Sequence, residues 1–171
     1  MSLANIDKDN FESKSPLKVI RKVIVDKLNE KQKREIIFEN RLRDLDLKLK
    51  MDPTLFYRMV ENILKNSLAY TEGKIELIIS NPDNKLIIKV LDQGCGVDED
   101  IIKRINDGDL TNITRHGIGI FISKQIAELH EGIFLIKNKN PGLEVSFIFD
   151  LWLAIINHKT LLFSKTKEKP E

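Results

Sequence analysis

The chain has 171 residues, of which 42% are hydrophobic and 32% charged, as in an ordinary soluble globular protein. Its 28 basic and 26 acidic residues are interspersed and leave a net charge of +2, which excludes a nucleic-acid-binding tract and an acidic tail. A single cysteine excludes an internal disulfide and a cysteine-rich metal site and fits a reducing compartment, and no apolar run approaches the roughly 20 residues that span a bilayer.

The N-terminal third of the chain predicts a linker, a helix and two extended segments. Residues 1–16 are polar and predict a linker. Ser15-Pro16 is typical of a helix start, with Ser15 as the N-cap, and the apolar spacing that follows predicts an amphipathic helix over 17–31. Residues 35–39 predict a short strand, and the alternating leucines of 41–50 predict a second extended or edge segment.

The middle of the chain predicts a long helix and a hairpin. Asp52-Pro53 starts the helix by the same capping logic, and the helix continues to about Tyr70. Two β-rich runs, 75–79 and 86–91, are joined by a turn at 81–84.

The last part predicts two helices, a loop and a second hairpin. A short polar helix occupies about 98–106 and is followed by a loop that is mobile by composition. The next helix covers 117–129, with one apolar face. That face is predicted to carry Ile118, Phe121, Ile122, Ile126 and Leu129. Strands at 132–137 and 143–151 flank the turn Asn140-Pro141-Gly142. The apolar stretch after 151 is compatible with an added helix or strand on the domain surface and with a contact for another domain, and the sequence does not choose between them.

This order of elements predicts an α+β fold. Because most strands are joined as hairpins rather than through helices, we expect a two-layer α/β sandwich in which one mixed sheet carries its helices on one face.

Two asparagines on the helix over 53–70 are candidate ligands. The apolar residues predicted to face the core are Leu55, Phe56, Met59, Val60, Ile63 and Leu64. Asn62 and Asn66 lie four residues apart at the edge of that face. Their oxygens suit a hydrated cation such as Mg²⁺, and their amides suit phosphate oxygens. A pair of asparagines on a solvated face is the ordinary alternative.

Two glycine-bearing turns complete the pattern. Asp92 ends an apolar strand, and its carboxylate can accept a hydrogen bond from an exocyclic amine, while Gly94 and Gly96 allow the backbone to approach a flat ring closely. Gly117-Ile118-Gly119 opens a helix, whose free amides favour an anion. Each feature alone also has an ordinary structural explanation. Together and in this order, they indicate a nucleotide pocket.

These segments closely resemble the nucleotide-binding boxes of histidine kinases. Residues 62–71 are similar to the N box, 92–96 to the G1 box and 117–120 to the G2 box. The resemblance spans about 15–151 and implies the Bergerat ATP-binding fold, shared with gyrase-like ATPases, Hsp90 and mismatch-repair ATPases. It implies a catalytic domain over 17–151, a linker at 1–16 from a dimerisation domain outside this chain, and an extension of unknown role at 152–171.

The resemblance also implies residue roles. Asp92 would recognise the adenine amine, Asn66 would hold magnesium with help from Asn62, and Tyr70 would line the base pocket. Gly117 and Gly119 would make room for the phosphates of ATP. Asn62 and Asn66 are thus the candidate catalytic and metal-binding residues. The remaining cofactor-binding candidates in the boxes are Gly94, Gly96, Val97 and Ile118.

The implied function is phosphoryl transfer from Mg-ATP to a histidine of the dimerisation domain, and from there to a response regulator. None of His116, His130 and His158 has the long helical context of an acceptor histidine. The implied location is the cytoplasm, with membrane anchorage of the full-length protein left open. The isolated domain is expected to be monomeric and the full-length kinase a homodimer.

Some positions depart from the family pattern. Ala69 stands where these kinases usually have lysine or arginine, no F box precedes the short lid, and Lys65 is a candidate substitute for the missing charge. Two alternatives therefore remain open: a stand-alone serine kinase of the anti-sigma type, and a degenerate module that acts without catalysis.

Overall fold

A computed structural model describes residues 10–27, 36–109 and 115–151. The helices are α1 (Pro16–Lys27), α2 (Pro53–Tyr70), α3 (Glu99–Asp107) and α4 (Arg115–Leu129). The strands are β1 (Glu12–Lys14), β2 (Ile36–Arg41), β3 (Leu49–Met51), β4 (Ile75–Ser80), β5 (Lys85–Leu91), β6 (Ile133–Asn138) and β7 (Leu143–Asp150). Within the described ranges, no helix is long and apolar enough to cross a membrane.

The main sheet has five strands in the order β2-β4-β5-β7-β6. Only β2 and β4 run parallel, and the other neighbours are antiparallel, so the sheet is mixed as predicted. Side chains alternate along β4 and β5, and those on the face that meets the helices are buried. The buried side chains of these two strands are Ile75, Leu77, Ile79, Leu86, Ile88 and Val90. The two-layer α/β sandwich is therefore confirmed.

Helix α2 is the central helix of the second layer, packed between α1 and α4. Its start is fixed by Asp52, whose Oδ1 accepts hydrogen bonds from the amides of Thr54 (2.8 Å) and Leu55 (3.0 Å). This capping arrangement is the one predicted from Asp52-Pro53. The described side chains of α2 with almost no exposure are Phe56, Met59, Val60, Ile63 and Leu64.

A buried histidine joins the ends of α2 and α4. His130 follows α4, and its Nδ1 lies 2.7 Å from the carbonyl oxygen of Ile126, while its Nε2 accepts the amide of Asp52 at 3.1 Å. The ring stacks on Phe11, with centroids 4.6 Å apart. Because Nε2 accepts, these contacts assign a neutral ring with its proton on Nδ1. His130 thus links the C-terminal end of α4 to the start of α2 by hydrogen bonding.

Three details of the N-terminal third differ from the sequence prediction. Ser15 does not cap α1 through its side chain, because its buried Oγ has no hydrogen-bond partner among the described residues. The stretch 41–50 is not one strand: Arg41 ends β2 and the last two residues start β3, and between them Asp44 accepts the amide of Asp46 and turns the chain. Strand β3 pairs with β1, a small antiparallel sheet that the sequence did not predict.

Helix α4 also differs from its prediction. It begins at Arg115 rather than Gly117, and Ile118 is 45% exposed instead of lying on the apolar face. Ile120 and Ala127 are buried in the core with Ile126. The buried face is therefore rotated relative to the one predicted, because α4 packs against both α2 and the sheet.

Candidate functional site

The carboxylate of Asp92 is held in place by three hydrogen bonds. Its Oδ2 accepts the hydroxyl of Ser67 at 3.0 Å, and its Oδ1 accepts the amides of Gly94 at 3.0 Å and Leu143 at 3.1 Å. The donors come from α2, from the loop after β5 and from the start of β7. Asp92 is thereby fixed at the point where these three segments meet.

Two glycines near Asp92 are required by close backbone contacts. A Cβ on Gly94 would lie 2.6 Å from the carbonyl oxygen of Tyr70, so the loop packs directly on the end of α2. A Cβ on Gly142 would lie 1.8 Å from the carbonyl oxygen of Asp92, and Gly142 has a φ of +96°. No other residue type fits there without displacing the backbone that carries Asp92.

Asn138 holds the far end of the same loop. Its Oδ1 accepts the amide of Val97 at 2.8 Å, and its Nδ2 donates to the carbonyl oxygen of Val97 at 2.7 Å and to Oε1 of Glu99 at 2.7 Å. Gly96 lies against this side chain, with its missing Cβ only 2.7 Å from Oδ1 of Asn138, and has a φ of +76°. The last residue of β6 thus fixes the loop from Asp92 to Val97.

A pocket opens beside Asp92, with ≈ 370 Å³ of empty space that includes open solvent. Its lining residues come from α2, the loop after β5, α4 and β7, and are Ile63, Asn66, Ser67, Tyr70, Asp92, Gly94, Cys95, Gly96, Val97, Ile120, Leu143 and Val145. The buried apolar members form walls around one fixed carboxylate, an arrangement that suits a flat heterocycle with an exocyclic amine.

The pocket brings together six of the ten predicted site residues. These six are Asn66, Tyr70, Asp92, Gly94, Gly96 and Val97. The other four, Asn62, Gly117, Ile118 and Gly119, do not line it. Gly119 nevertheless lies next to Asn62, because a Cβ on Gly119 would be 4.0 Å from the Cβ of Asn62. Asn62 and Gly119 therefore form a second cluster between α2 and α4.

Asn62 has an unused donor. Its Nδ2 is buried and has no hydrogen-bond partner among the described residues. A buried amide without a partner is unusual and calls for a ligand or an ordered water. An amide donor with an adjacent amide oxygen fits a phosphate group and a hydrated Mg²⁺, so the residues present are compatible with both.

The positions that depart from the family pattern lie at the surface. Ala69 is exposed, and Lys65 pairs with Glu61 at 2.8 Å. Lys65 does not line the pocket around Asp92, and its role as a substitute for the missing charge stays a prediction. The lid residues 110–114 and the side chain of His116 lie outside the described part, as do residues 152–171 with His158.

Several residues that build the site were not predicted. They are Ser67, Ile120, Ser123, Asn138, Gly142 and Leu143. Ser123 is fully buried, and its hydroxyl lies 3.1 Å from the carbonyl oxygen of Met59 on α2. Of these residues, only Gly142 had a signal in the sequence, because it stands in the predicted turn Asn140-Pro141-Gly142. Nothing in the sequence linked this glycine to Asp92.

Residues 51–154 match the family described as histidine kinase-, DNA gyrase B- and HSP90-like ATPase. The match covers more than half of the chain, so the protein belongs to this family. The fold is the one expected from the resemblance, and the family resemblance identified from the sequence is confirmed.

Within that family the chain is similar to sensor histidine kinases. It is 28% identical over 102 residues to Sensor histidine kinase CssS of Bacillus subtilis (strain 168), which covers 57% of this chain and 22% of the relative. It is 29% identical over 136 residues to Sensor histidine kinase CitA of Klebsiella pneumoniae. This match covers 67% of the present chain and 24% of the relative. The chain thus spans about a quarter or less of the length of these relatives.

Solved structures agree on the fold. The catalytic domain of histidine kinase ThkA superposes with a TM-score of 0.68 and 24% identity, covering 82% of this chain and 95% of that one. Mycobacterial sensor histidine kinase MprB superposes with a TM-score of 0.64 at 17% identity. This match covers 81% of the present chain and 96% of the MprB chain. At these identities the likeness shows a shared architecture, which is that of histidine kinase catalytic domains.

Proposed function

We propose that this domain binds Mg-ATP and transfers the γ-phosphoryl group to a histidine on a dimerisation domain outside the chain. From there the group would pass to an aspartate of a response regulator. The observation that carries the proposal is the fixed carboxylate of Asp92 inside an apolar pocket bounded by Asn66 and Tyr70.

Adenine recognition is assigned to Asp92. The Ser67 hydroxyl and the amides of Gly94 and Leu143 orient its carboxylate, which leaves acceptor capacity for the exocyclic amine of adenine. The ring would lie between apolar side chains of α2, α4 and β7, and Ile63, Ile120 and Val145 supply these walls. A hydrogen bond to a charged acceptor contributes about 1.5–3 kcal/mol, so the carboxylate would be a main source of base specificity.

The triphosphate and its metal are assigned to the cluster between α2 and α4. Asn66 and Asn62 would hold Mg²⁺ through their side-chain oxygens and the metal's waters, and the unpartnered Nδ2 of Asn62 would donate to a phosphate oxygen. Gly119 lies against Asn62 and leaves space for the phosphates. When bound, the metal neutralises the negative charge that develops on the transferring phosphoryl group.

Transfer is favoured over hydrolysis by the chemistry of Asn62. The resemblance implies that ATP-hydrolysing members of the family have a water-activating glutamate here, and an asparagine cannot accept a proton as a general base. Positioning and charge stabilisation account for most of the catalysis in phosphoryl transfer. Asn62 and Asn66 would then act by holding the nucleotide rather than by moving a proton.

The setting of the domain follows from the same proposal. Its relatives are sensor kinases of about four or more times the matched length. The whole protein would carry a dimerisation domain and act as a homodimer on the cytoplasmic side of a membrane or free in the cytoplasm. The isolated domain would be monomeric.

Calorimetry with a non-hydrolysable ATP analogue tests the binding step. The wild-type domain should bind the analogue more tightly with Mg²⁺ than without it. Asn66→Ala should remove most of that magnesium-dependent gain and leave metal-free binding nearly unchanged. Thr54→Ala, at an exposed position near the other end of the same helix, is the matched control. Equal losses with and without the metal would remove Asn66 from the metal site.

A degenerate module is the second candidate, because Ala69 leaves the outer end of α2 without the usual cation. A phosphoryl-transfer assay distinguishes this degenerate module from an active histidine kinase. A longer form of the protein that includes the dimerisation domain should become labelled by γ-labelled ATP on an acid-labile, base-stable phosphohistidine. Binding without any such label would favour the degenerate module, and a base-labile phosphoserine on a protein substrate would favour the anti-sigma type kinase.

A further inference from the structure

A buried serine joins the two helices that form the candidate phosphate cluster. Ser123 of α4 is fully buried, and its hydroxyl lies 3.1 Å from the carbonyl oxygen of Met59 on α2. The same hydroxyl lies 3.0 Å from the carbonyl oxygen of Gly119, one turn earlier on α4. A hydroxyl has one proton, so the two carbonyl oxygens share a single donor. Through this donor, the backbones of α2 and α4 are held together at one point.

The surroundings of this hydroxyl are apolar. Met59 has no exposure, and buried core side chains lie one turn away along both helices, at Ile63, Ile120 and Ile126. A hydroxyl among such side chains costs free energy unless it is hydrogen-bonded. An alanine of nearly the same size would avoid this cost, so packing alone does not account for a serine at this position. The contact that a serine adds is the hydrogen bond to the carbonyl oxygen of Met59.

The serine contact lies one helical turn from the contact between Asn62 and Gly119. Asn62 follows Met59 by three residues on α2, and Gly119 precedes Ser123 by four residues on α4, so the members of each pair share a face of their helix. A Cβ on Gly119 would lie 4.0 Å from the Cβ of Asn62. The two contacts therefore follow one another along helices that run in opposite directions, and the hydrogen bond at the first contact sets the separation of the helices at the second.

We infer that Ser123 is a positioning residue for the phosphates of the nucleotide: its hydroxyl fixes the separation of α2 and α4 at which the side chain of Asn62 faces the backbone at Gly119. The inference rests on the proposed function, which assigns the triphosphate to this cluster. The group whose placement depends on the separation is Nδ2 of Asn62, which is buried and has no partner among the described residues. Ser123 does not line the pocket beside Asp92, so its hydroxyl affects the phosphates and not the base.

The test compares a ligand that carries phosphates with one that has none. Calorimetry measures the affinity of each variant for adenosine and for a non-hydrolysable ATP analogue with Mg²⁺. Ser123→Ala should weaken binding of the analogue by about 3- to 10-fold, as expected for one lost hydrogen bond, and leave the affinity for adenosine within about twofold of the wild type. A residue with a purely structural role would lower both affinities together.

Two further variants separate the hydrogen bond from packing and from stability. Ser123→Cys keeps a side chain of similar shape but has only a weak donor, so it should resemble Ser123→Ala rather than the wild type. Ile126→Val is the control for stability, because it removes a buried methylene from the same helix, three residues further from Gly119. It should lower the stability that urea denaturation measures and leave the ratio of the two affinities unchanged.

The outcomes distinguish this inference from the proposed function. When the wild type binds both ligands, an unchanged affinity of Ser123→Ala for the analogue overturns the inference alone. An equal loss for adenosine and the analogue does so too, as does full retention of analogue binding by Ser123→Cys, which would assign the effect to packing. A wild-type domain that binds neither ligand overturns the proposed function, and this inference with it.

Discussion

At the scale of single residues, the account depends on the carboxylate of Asp92. Asp92→Asn keeps the size and most hydrogen bonds of the side chain but replaces one acceptor oxygen with an amide donor. The new NH₂ group would face another hydrogen-bond donor, which is either the adenine amine or one of the protein groups that donate to Asp92. Because a hydrogen bond to a charged acceptor contributes about 1.5–3 kcal/mol, we expect the affinity for ATP to fall by about 10- to 150-fold.

The measurement is calorimetric titration of both proteins with an ATP analogue, with thermal unfolding as a check on stability. Ser67→Ala is the informative companion, because it removes one orienting bond and leaves the carboxylate in place. A smaller loss is expected for it. An Asp92→Asn domain that binds with unchanged affinity would contradict the assignment of the pocket.

Gly142 provides a second test at this scale. An added Cβ would lie 1.8 Å from the carbonyl oxygen of Asp92, so Gly142→Ala must displace the backbone of the site. Gly108→Ala is a matched control: Gly108 also has a positive φ, of +75°, but nothing lies within 4 Å of its missing Cβ. The control carries only the strain of a left-handed alanine, about 1 kcal/mol.

Chemical denaturation of the two variants separates strain from steric overlap. Gly142→Ala should lower the free energy of unfolding by about 1–3 kcal/mol more than Gly108→Ala does, because this is the usual cost of inserting an extra methyl group into a packed site. It should also weaken nucleotide binding, which Gly108→Ala should not. Equal effects on stability would mean that the backbone of Asp92 moves aside without loss.

The sequence was a good guide to residues whose role depends on local chemistry. Asp92 and the glycines after it could be recognised from the end of an apolar strand. Asn138 and Leu143 could not, because their role depends on contacts with residues 41 and 51 positions away. Ile118 was misplaced for a related reason, since the buried face of α4 is set by what packs against it.

At the scale of elements, the outer face of the sheet contains an ionic cluster. Glu144 of β7 is buried, and its carboxylate lies 3.3 Å from Nζ of Lys89, 3.2 Å from Nζ of Lys137 and 3.4 Å from Nζ of Lys139. Burial by itself would raise the pKa of Glu144. The hydrogen bonds and charges of the three lysines outweigh burial and lower this pKa below its ordinary value.

This cluster predicts a pH dependence of stability. Because the pKa of Glu144 is lower in the folded state, its contribution to stability is present above the unfolded value of about 4.3 and is lost as the pH falls through the folded value. Urea denaturation from about pH 6 to pH 3 should show a steeper loss for the wild type than for Glu144→Gln. Glu72→Gln, at an exposed position, should follow the wild type. Identical slopes for wild type and Glu144→Gln would contradict the linkage.

Elements with local signals were predicted well. The start of α2 followed from Asp52-Pro53, and both hairpins followed from their turn residues. The sheet of β1 and β3 was missed for two reasons. Each strand has only three residues, too few to show an alternation of apolar and polar side chains, and the paired residues, such as Glu12 and Met51, lie far apart in the sequence. The alternating leucines of 41–50 pointed to a strand, but Asp44 forms a turn with Asp46, and the local hydrogen bond determined the backbone.

At the scale of the whole molecule, the two faces of the sheet differ. The inner face packs on α2 and α4, and the site lies where these helices meet the loop after β5. The outer face carries the exposed apolar side chains of β6, Ile133 and Leu135. The fold class could be predicted from the order of elements, because hairpins and helices in this sequence leave few ways to bury one core. The convergence of six site residues on one pocket could be expected from the family resemblance alone.

The most direct test of the central claim is a titration of the isotope-labelled domain with Mg²⁺ and a non-hydrolysable ATP analogue, followed through backbone amide signals. The account predicts saturable shifts at Ser67, Gly94, Val97 and Gly119, with little change at Leu135 on the outer face. Absence of saturable shifts, or shifts concentrated away from the cleft between α2 and the loop after β5, would contradict it.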